Sequence, residues 1–134
     1  MDILERILTT LMQEFSDLGQ VEHITRATLR LLLAMFLGGL LGYEREVMGK
    51  AAGMRTHMLV CLGAAIFVMA LEQDGAEADA MSRVIQGIAA GVGFLGAGTI
   101  LKGQNISDVK GLTTAAGLWA SAAIGVAVGL GREA

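Results

Sequence analysis

Charged residues, cysteines and aromatic residues are all scarce in this chain of 134 residues. Asp, Glu, Lys and Arg make up 17% and aromatic residues 4%; there is one cysteine and no proline, whereas 54% of the residues are hydrophobic. A soluble domain carries about 25% charged residues, so this composition does not suit an ordinary water-exposed surface. The lone cysteine excludes a disulfide scaffold, and the high hydrophobicity excludes intrinsic disorder. Ten basic residues against thirteen acidic ones, without a basic run, argue against nucleic-acid binding.

Four long stretches of the sequence contain no charged residue. They are Leu31–Tyr43, Thr56–Leu71, Val84–Leu101 and Gly111–Gly131. A helix needs about 20 apolar residues to cross the hydrocarbon core of a bilayer. The pattern predicts an all-α integral membrane bundle of four transmembrane helices, at about residues 26–43, 54–71, 84–101 and 111–130. The alternative is an unusually apolar soluble bundle, whose helices would normally show a polar face.

The first 22 residues have the periodicity of an amphipathic helix that precedes the transmembrane domain at 23–134. The apolar side chains that share one helical face are Ile3, Leu4, Ile7, Leu8, Leu11, Met12, Phe15 and Leu18. The segment has no basic region at its start, so it is not expected to be a signal peptide. We expect a helix that lies on the membrane surface or on the bundle, with docking of a partner as the alternative. Its acidic polar face does not suit anionic lipid.

The loops predict the orientation of the bundle. The first loop holds Arg45, Lys50 and Arg55, and the third holds Lys102 and Lys110. The second loop is acidic apart from Arg83. Because basic loops stay in the cytoplasm, loops one and three are predicted there and both termini outside.

A shift of 58 residues aligns the two halves of the chain. Phe36-Leu37-Gly38 falls on Phe94-Leu95-Gly96, and Thr56 falls on Thr114. The register holds across both helices and the loop between them, which predicts two parallel repeats of a helical hairpin. Chance agreement between two Gly- and Ala-rich halves is the alternative.

Small residues recur at helical spacing in the predicted spans. Such residues let helix backbones approach closely in lipid, so we expect packing roles for several of them and self-association into a homo-oligomer. The predicted packing residues are Gly38, Gly42, Gly91, Gly93, Gly96 and Trp119. A third helix broken by its glycines and lining an ion path is the other interpretation.

Polar residues near the predicted helix ends are the candidate functional residues. Arg30 lies one turn inside the first span, where it either snorkels to the headgroups or bridges helices, and Gln86 is a candidate interhelical hydrogen-bonding group. Glu44 is expected to reach Arg55 or a helix start, with Thr56 and Thr114 as helix caps. The predicted cluster on the cytoplasmic side, a structural latch or a binding site for a partner, phosphate or headgroup, comprises Glu44, Arg45, Arg55, Thr56, His57, Thr113 and Thr114.

Catalytic and metal-binding patterns are weak. No nucleophile, base and orienting acid occur together, so no enzyme activity and no cofactor are expected. His57 and Cys61 share a helical face, but two ligands are too few for a metal site. The acids of the second loop are expected to be solvated rather than to hold divalent cations.

Four ordered motifs resemble the transmembrane domain of the MgtC/SapB family. They are Gly-Tyr-Glu-Arg-Glu at 42–46, Gly-Met-Arg-Thr-His at 53–57, Gly-Phe-Leu-Gly-Ala-Gly at 93–98 and Gly-Leu-Thr-Thr-Ala-Ala at 111–116, followed by Trp119. The resemblance covers about residues 26–131. It implies a multi-pass protein of the bacterial inner membrane, linked to growth at low magnesium and to survival in host macrophages (virulence).

The resemblance implies two possible functions. The first is modulation of another membrane protein, such as an ATP synthase; the second is transport of magnesium or another ion. Longer family members add a fifth helix and a C-terminal domain that these 134 residues do not contain. A transporter should line its midplane with polar groups. The spans offer few of them, so modulation is the favoured hypothesis.

Overall fold

Five helices make up most of the described residues of the computed structural model. The structure describes residues 2–16, 21–73, 77–102 and 109–131. The helices are α1 (Ile3–Glu14), α2 (Val21–Val47), α3 (Met54–Gln73), α4 (Ala78–Ala97) and α5 (Leu112–Gly129). Two antiparallel strands of two residues each, β1 (Leu101–Lys102) and β2 (Val109–Lys110), lie between α4 and α5.

The four long helices each have the length and apolar composition needed to cross a membrane. The predicted all-α membrane bundle is therefore confirmed. The bounds of two helices differ most: α2 runs from Val21 to Val47 rather than from about 26 to 43, and α4 runs from Ala78 to Ala97 rather than from 84 to 101. The short strand pair was not predicted. A stretch without charged residues marks only the part of a helix that can lie in hydrocarbon. Both α2 and α4 begin before such a stretch, because their first turns contain charged residues.

The first helix stands apart from the bundle. Asp2 caps α1 by accepting a hydrogen bond from the backbone N–H of Ile3 at 2.7 Å. None of its residues is buried, and the apolar side chains of its predicted face, from Ile3 to Phe15, are exposed. The predicted continuation through Leu18 and Gly19 lies outside the described residues. The described part of the bundle therefore does not cover the apolar face of α1.

The core of the bundle consists mainly of small residues. The buried set contains Ala34, Cys61, Ala64, Ala65, Val68, Ile88, Leu118, Ala122 and Val128. Large side chains point outward instead, as shown by Phe94, which is 81% exposed. A water-soluble domain buries such side chains, whereas lipid solvates them and leaves close backbone packing to hold helices together. This distribution is what a membrane-embedded bundle requires.

Like α3, helix α5 contacts each of the other three long helices. Its small-residue stripe faces α3: a Cβ on Gly129 would lie 2.8 Å from the Ala65 carbonyl oxygen. Gly125 opposes the Cys61 carbonyl oxygen even more closely. The α3–α5 interface is therefore a contact between backbones, which larger side chains on α5 would prevent.

The two halves of the chain pack in equivalent ways. Helix α3 begins at Met54 and α5 at Leu112, 58 positions later. A Cβ on Gly38 would contact His57 and Cys61 of α3, while a Cβ on Gly96 would contact Ala115 of α5, the position that repeats His57. In both halves the repeated glycine therefore lies against the equivalent residue of the following helix, as the internal repeat predicts.

Candidate functional site

Two polar clusters lie at opposite ends of the bundle. We call the first the Arg45 cluster; it comprises Arg45, Thr114, His57 and the carbonyl groups of Gly53 and Ala51. We call the second the Arg30 cluster; it comprises Arg30, Glu72 and the carbonyl group of Gly129. In each, an arginine of α2 holds other segments of the chain by hydrogen bonds.

Arg45 connects three segments of the chain. It lies in the last turn of α2, and its Nη2 donates to the Ala51 carbonyl oxygen at 3.1 Å and to the hydroxyl of Thr114. Thr114 is only 4% exposed and lies in the first turn of α5. Because a hydrogen bond from a charged donor is stronger than a neutral one, this contact fixes the end of α2 against the start of α5.

Glycines allow the close approach that the Arg45 cluster needs. A Cβ on Gly42 would lie 2.6 Å from the carbonyl oxygen of Gly53, so only glycine lets the end of α2 reach the start of α3. Gly111, at φ +96°, precedes α5 in the left-handed conformation that side chains disfavour. The first glycine of the first motif therefore permits the approach of α2 to α3, and the first glycine of the fourth motif permits the turn directly before α5.

His57 is a buried part of this cluster. Its side chain is 2% exposed, and its Nδ1 lies 3.0 Å from the carbonyl oxygen of Gly53 one turn earlier. Gly117 of α5 makes room for the ring, because a Cβ there would lie 3.2 Å from Nε2. His57 therefore fills the space between α3 and α5.

The predicted cytoplasmic cluster divides into a buried and an exposed part. Arg45, His57 and Thr114 lie inside, as described above. The other members have exposed side chains and make no side-chain hydrogen bond within the described residues: Glu44, Arg55, Thr56 and Thr113. The expected contact between Glu44 and Arg55 is therefore absent from this part of the chain.

The predicted threonine caps are wrong. Helix α3 begins at Met54, so Thr56 already lies within its first turn. Gly111 is the residue before α5, and no side chain caps that helix. Thr114 uses its hydroxyl to accept from Arg45 instead. The sequence could not distinguish a capping threonine from one that faces a neighbouring helix.

Arg30 bridges three helices at the other end of the bundle. Its Nη1 donates to Oε2 of Glu72 in α3 at 3.0 Å. The same nitrogen donates to the carbonyl oxygen of Gly129, the last residue of α5, at 2.8 Å. The side chains of Arg30 and Glu72 are 19% and 42% exposed. The bridging alternative for Arg30 thus describes the structure better than free snorkelling.

Sequence reasoning missed Glu72 as the partner of Arg30. A signal was present: Arg30 directly precedes one charge-free run, and Glu72 directly follows another. Antiparallel helices that cross the same apolar layer place those two positions at the same boundary. By sequence alone, Glu72 belongs to the second, acidic loop at 72–83, whose acids are expected to be solvated; Asp74 of that loop lies outside the described residues.

The remaining predicted site residues differ in their packing. Gly38, Gly42 and Gly96 are buried at close helix contacts. A Cβ on Gly91 or Gly93 would meet nothing within 4 Å, and Trp119 is 57% exposed. Within the described residues, no neighbour therefore packs against Gly91 or Gly93, and more than half of the surface of Trp119 is exposed. Gln86 is exposed as well and makes no hydrogen bond to another described helix.

No group of three or more His, Cys, Asp or Glu side chains in the described ranges could hold a metal ion. An apolar groove of about 610 Å³ lies between α3 and α4. The residues that line it include Gly63, Phe67, Gly87, Gly91 and Leu95. The groove offers no carboxylate to a cation.

Comparison with known proteins gives consistent matches. The chain matches the MgtC family over residues 31–134. It is 49% identical over 113 residues to Protein SrpB of Synechococcus elongatus (76% of this chain, 62% of that protein). It is 49% identical over 105 residues to Protein MgtC of Salmonella typhimurium (78% and 43%). It is 42% identical over 111 residues to YhiD of Escherichia coli, named a putative magnesium transporter (77% and 50%). The chain thus spans about half the length of the curated relatives it matches. No solved structure matches it.

Proposed function

We propose that this chain, which belongs to the MgtC family, acts in magnesium-related adaptation by binding and modulating another protein of the bacterial inner membrane. An ATP synthase is one such partner that the family resemblance implies. The chain covers about half of its relatives, so the proposal concerns what this membrane domain contributes.

The close packing of the bundle interior supports modulation over transport. Helices α2, α3 and α5 touch through backbone atoms at Gly38, Gly42 and Gly129. Magnesium keeps several of its waters and prefers carboxylate ligands, so it needs a wide, polar path. Within the described residues, the charge-free stretches and the lining of the apolar α3–α4 groove offer magnesium no carboxylate ligand.

The exposed part of the cytoplasmic cluster supports a binding role. Glu44 and Arg55 lie close in sequence to the partly buried Arg45 and the buried His57, yet their side chains make no hydrogen bond or ion pair within the described residues. The exposed carboxylate of Glu44 and the exposed guanidinium of Arg55 lie on a surface that the Arg45 cluster holds in place. They suit a partner that presents the opposite charges at matching positions. We place this surface in the cytoplasm, since its loops are the basic ones.

Growth at low magnesium tests the binding role. We expect E44A/R55A to reproduce the growth defect of a strain that lacks the protein, while its membrane level and melting temperature remain those of the wild type. The control is D79A/R83A, which also removes one acid and one base from exposed positions, at the other end of the bundle. Full growth of E44A/R55A would count against the proposal.

A magnesium transporter is the second candidate, because one relative bears that name. Vesicles that contain only the purified protein separate the two functions. We expect no more magnesium entry than in protein-free vesicles, with an ionophore as the positive control. Saturable magnesium entry that E44Q abolishes would reverse the ranking.

A further inference from the structure

The Arg30 cluster lies at a boundary of the apolar layer. Arg30 contacts Gly129, the last residue of α5, and Glu72, near the end of α3. Helix α5 has 18 residues, so it is about 27 Å long at 1.5 Å per residue. Because a hydrocarbon core is about 30 Å thick, the ends of α3 and α5 lie near the depth of the lipid headgroups.

A cavity of about 550 Å³ opens beside Arg30 at this depth. It is a shallow, open cavity along one face of α2 that Gly131 borders at the end of α5. Its polar lining comes from Glu22, Thr25, Arg26 and Arg30, and its apolar lining includes Leu29 and Leu33. A second cavity of about 250 Å³, lined by His23 and Glu72 among others, shares Arg26 and Arg30 with it. We call the larger one the Arg26 cavity. Its mixture of charged and aliphatic walls matches a molecule with a polar head and a hydrocarbon chain.

The two arginines supply the donors for a phosphate. Residues four apart lie on the same face of a helix, so Arg26 and Arg30 are neighbours on α2. Nη1 of Arg30 donates to Glu72 and Gly129. Its Nε and Nη2 have no acceptor among the described residues and lie beside Gly131, which also lines the cavity. The planar edge of a guanidinium fits phosphate oxygens by two parallel hydrogen bonds.

The charges around the cavity balance. Arg26 and Arg30 are matched by Glu22 in the lining and by Glu72, which pairs with Arg30. An anionic headgroup would leave the carboxylate of Glu22 beside further negative charge. A zwitterionic headgroup suits both signs, because its phosphate faces the arginines and its ammonium faces Glu22.

We propose that the Arg26 cavity binds a zwitterionic phospholipid of the phosphatidylethanolamine type. The phosphate accepts hydrogen bonds from Arg26 and from the free edge of Arg30, the ammonium pairs with Glu22, and an acyl chain lies along Leu29 and Leu33. This site is independent of the exposed charges proposed above to bind a partner.

Native mass spectrometry of the full chain in detergent, titrated with phosphatidylethanolamine, tests the site. We expect R26Q to bind this lipid about tenfold more weakly, the effect of one charge-assisted hydrogen bond. R83Q removes an exposed arginine from α4 and should bind as the wild type does. Arg26 makes no hydrogen bond within the described residues, so R26Q should keep the melting temperature of the lipid-free protein. R26K, which keeps the charge, should bind more tightly than R26Q.

Two further titrations identify the headgroup. We expect E22Q to weaken phosphatidylethanolamine and not phosphatidylglycerol, which has no ammonium. Equal lipid binding by R26Q and the wild type would overturn the site. Tighter binding of phosphatidylglycerol than of phosphatidylethanolamine by the wild type would refute the zwitterionic headgroup. Equal affinity of the wild type for inorganic phosphate and for phosphatidylethanolamine would show that the site does not recognise a lipid.

Discussion

Arg45 and Arg55 show how differently two arginines of one predicted cluster are used. Arg45 is partly buried and donates to Thr114 and to the backbone of Ala51, whereas Arg55 is exposed. The motifs that contain them look equivalent in the sequence. Burial therefore separates a residue that supports the fold from one that is free to contact a partner.

The arginine pair gives a residue-scale prediction. We expect R45Q to destabilise the protein by about 1–3 kcal/mol, because Thr114 is buried and loses a charged donor. R55Q is the matched control and should change stability by less than about 0.5 kcal/mol, as exposed substitutions do. Thermal unfolding in detergent measures both. Equal melting temperatures for the two variants would show that the contact of Arg45 does not stabilise the bundle.

At the scale of helices, glycine has two different roles in this bundle. Gly38 lies against α3, and a Cβ there would be 2.7 Å from the His57 carbonyl oxygen. Gly93 of α4 has open space around it. Both were predicted to be packing residues, because spacing along one helix does not reveal which face meets a neighbour.

Alanine substitutions at these two glycines should change the stability of the bundle in opposite directions. We expect G38A to lower the stability by about 1–3 kcal/mol, since the helices must separate to admit the methyl group. We expect G93A to be neutral or to raise it by up to about 1 kcal/mol, because alanine favours a helix more than glycine does. Melting temperatures in one detergent compare the variants. A loss of stability in G93A would mean that another chain or segment packs there.

The packing of α5 also narrows where copies of the protein could meet. Its stripe of Gly125 and Gly129 is covered by α3, and so it is not free for a second copy. On α4, Gly87, Gly91 and Gly93 remain uncovered within the described residues, whereas Gly96 packs against Ala115 of α5. Self-association stays a prediction, and α4 is the helix whose small residues are available for it.

For the whole molecule, the arrangement of the spans predicts which loops share a side. We expect K50C and K110C to react with a membrane-impermeant maleimide from the cytoplasmic side, and D79C from the opposite side; all three positions are exposed. Cys61 is 0% exposed and should remain unlabelled in the wild type, which serves as the background control. Labelling of K50C and K110C from opposite sides would contradict the two parallel repeats.

The sequence alone predicted the membrane bundle, the number of spans and the family. Those features depend on the distribution of charge along the chain and on ordered motifs, which are local properties. Of the polar residues that it singled out, Arg30, Arg45, His57 and Thr114 make side-chain hydrogen bonds in the structure. The bounds of α2 and α4 were less accurate, because a charge-free run need not begin where its helix does.

Only the tertiary structure decided which of these residues meet. The link from Arg30 to Glu72 spans 42 positions and that from Arg45 to Thr114 spans 69. Such contacts depend on how the helices are rotated about their own axes. That rotation is set by where glycine lets two backbones touch, and a periodic stripe of small residues is equally compatible with a neighbouring helix, a second copy or lipid.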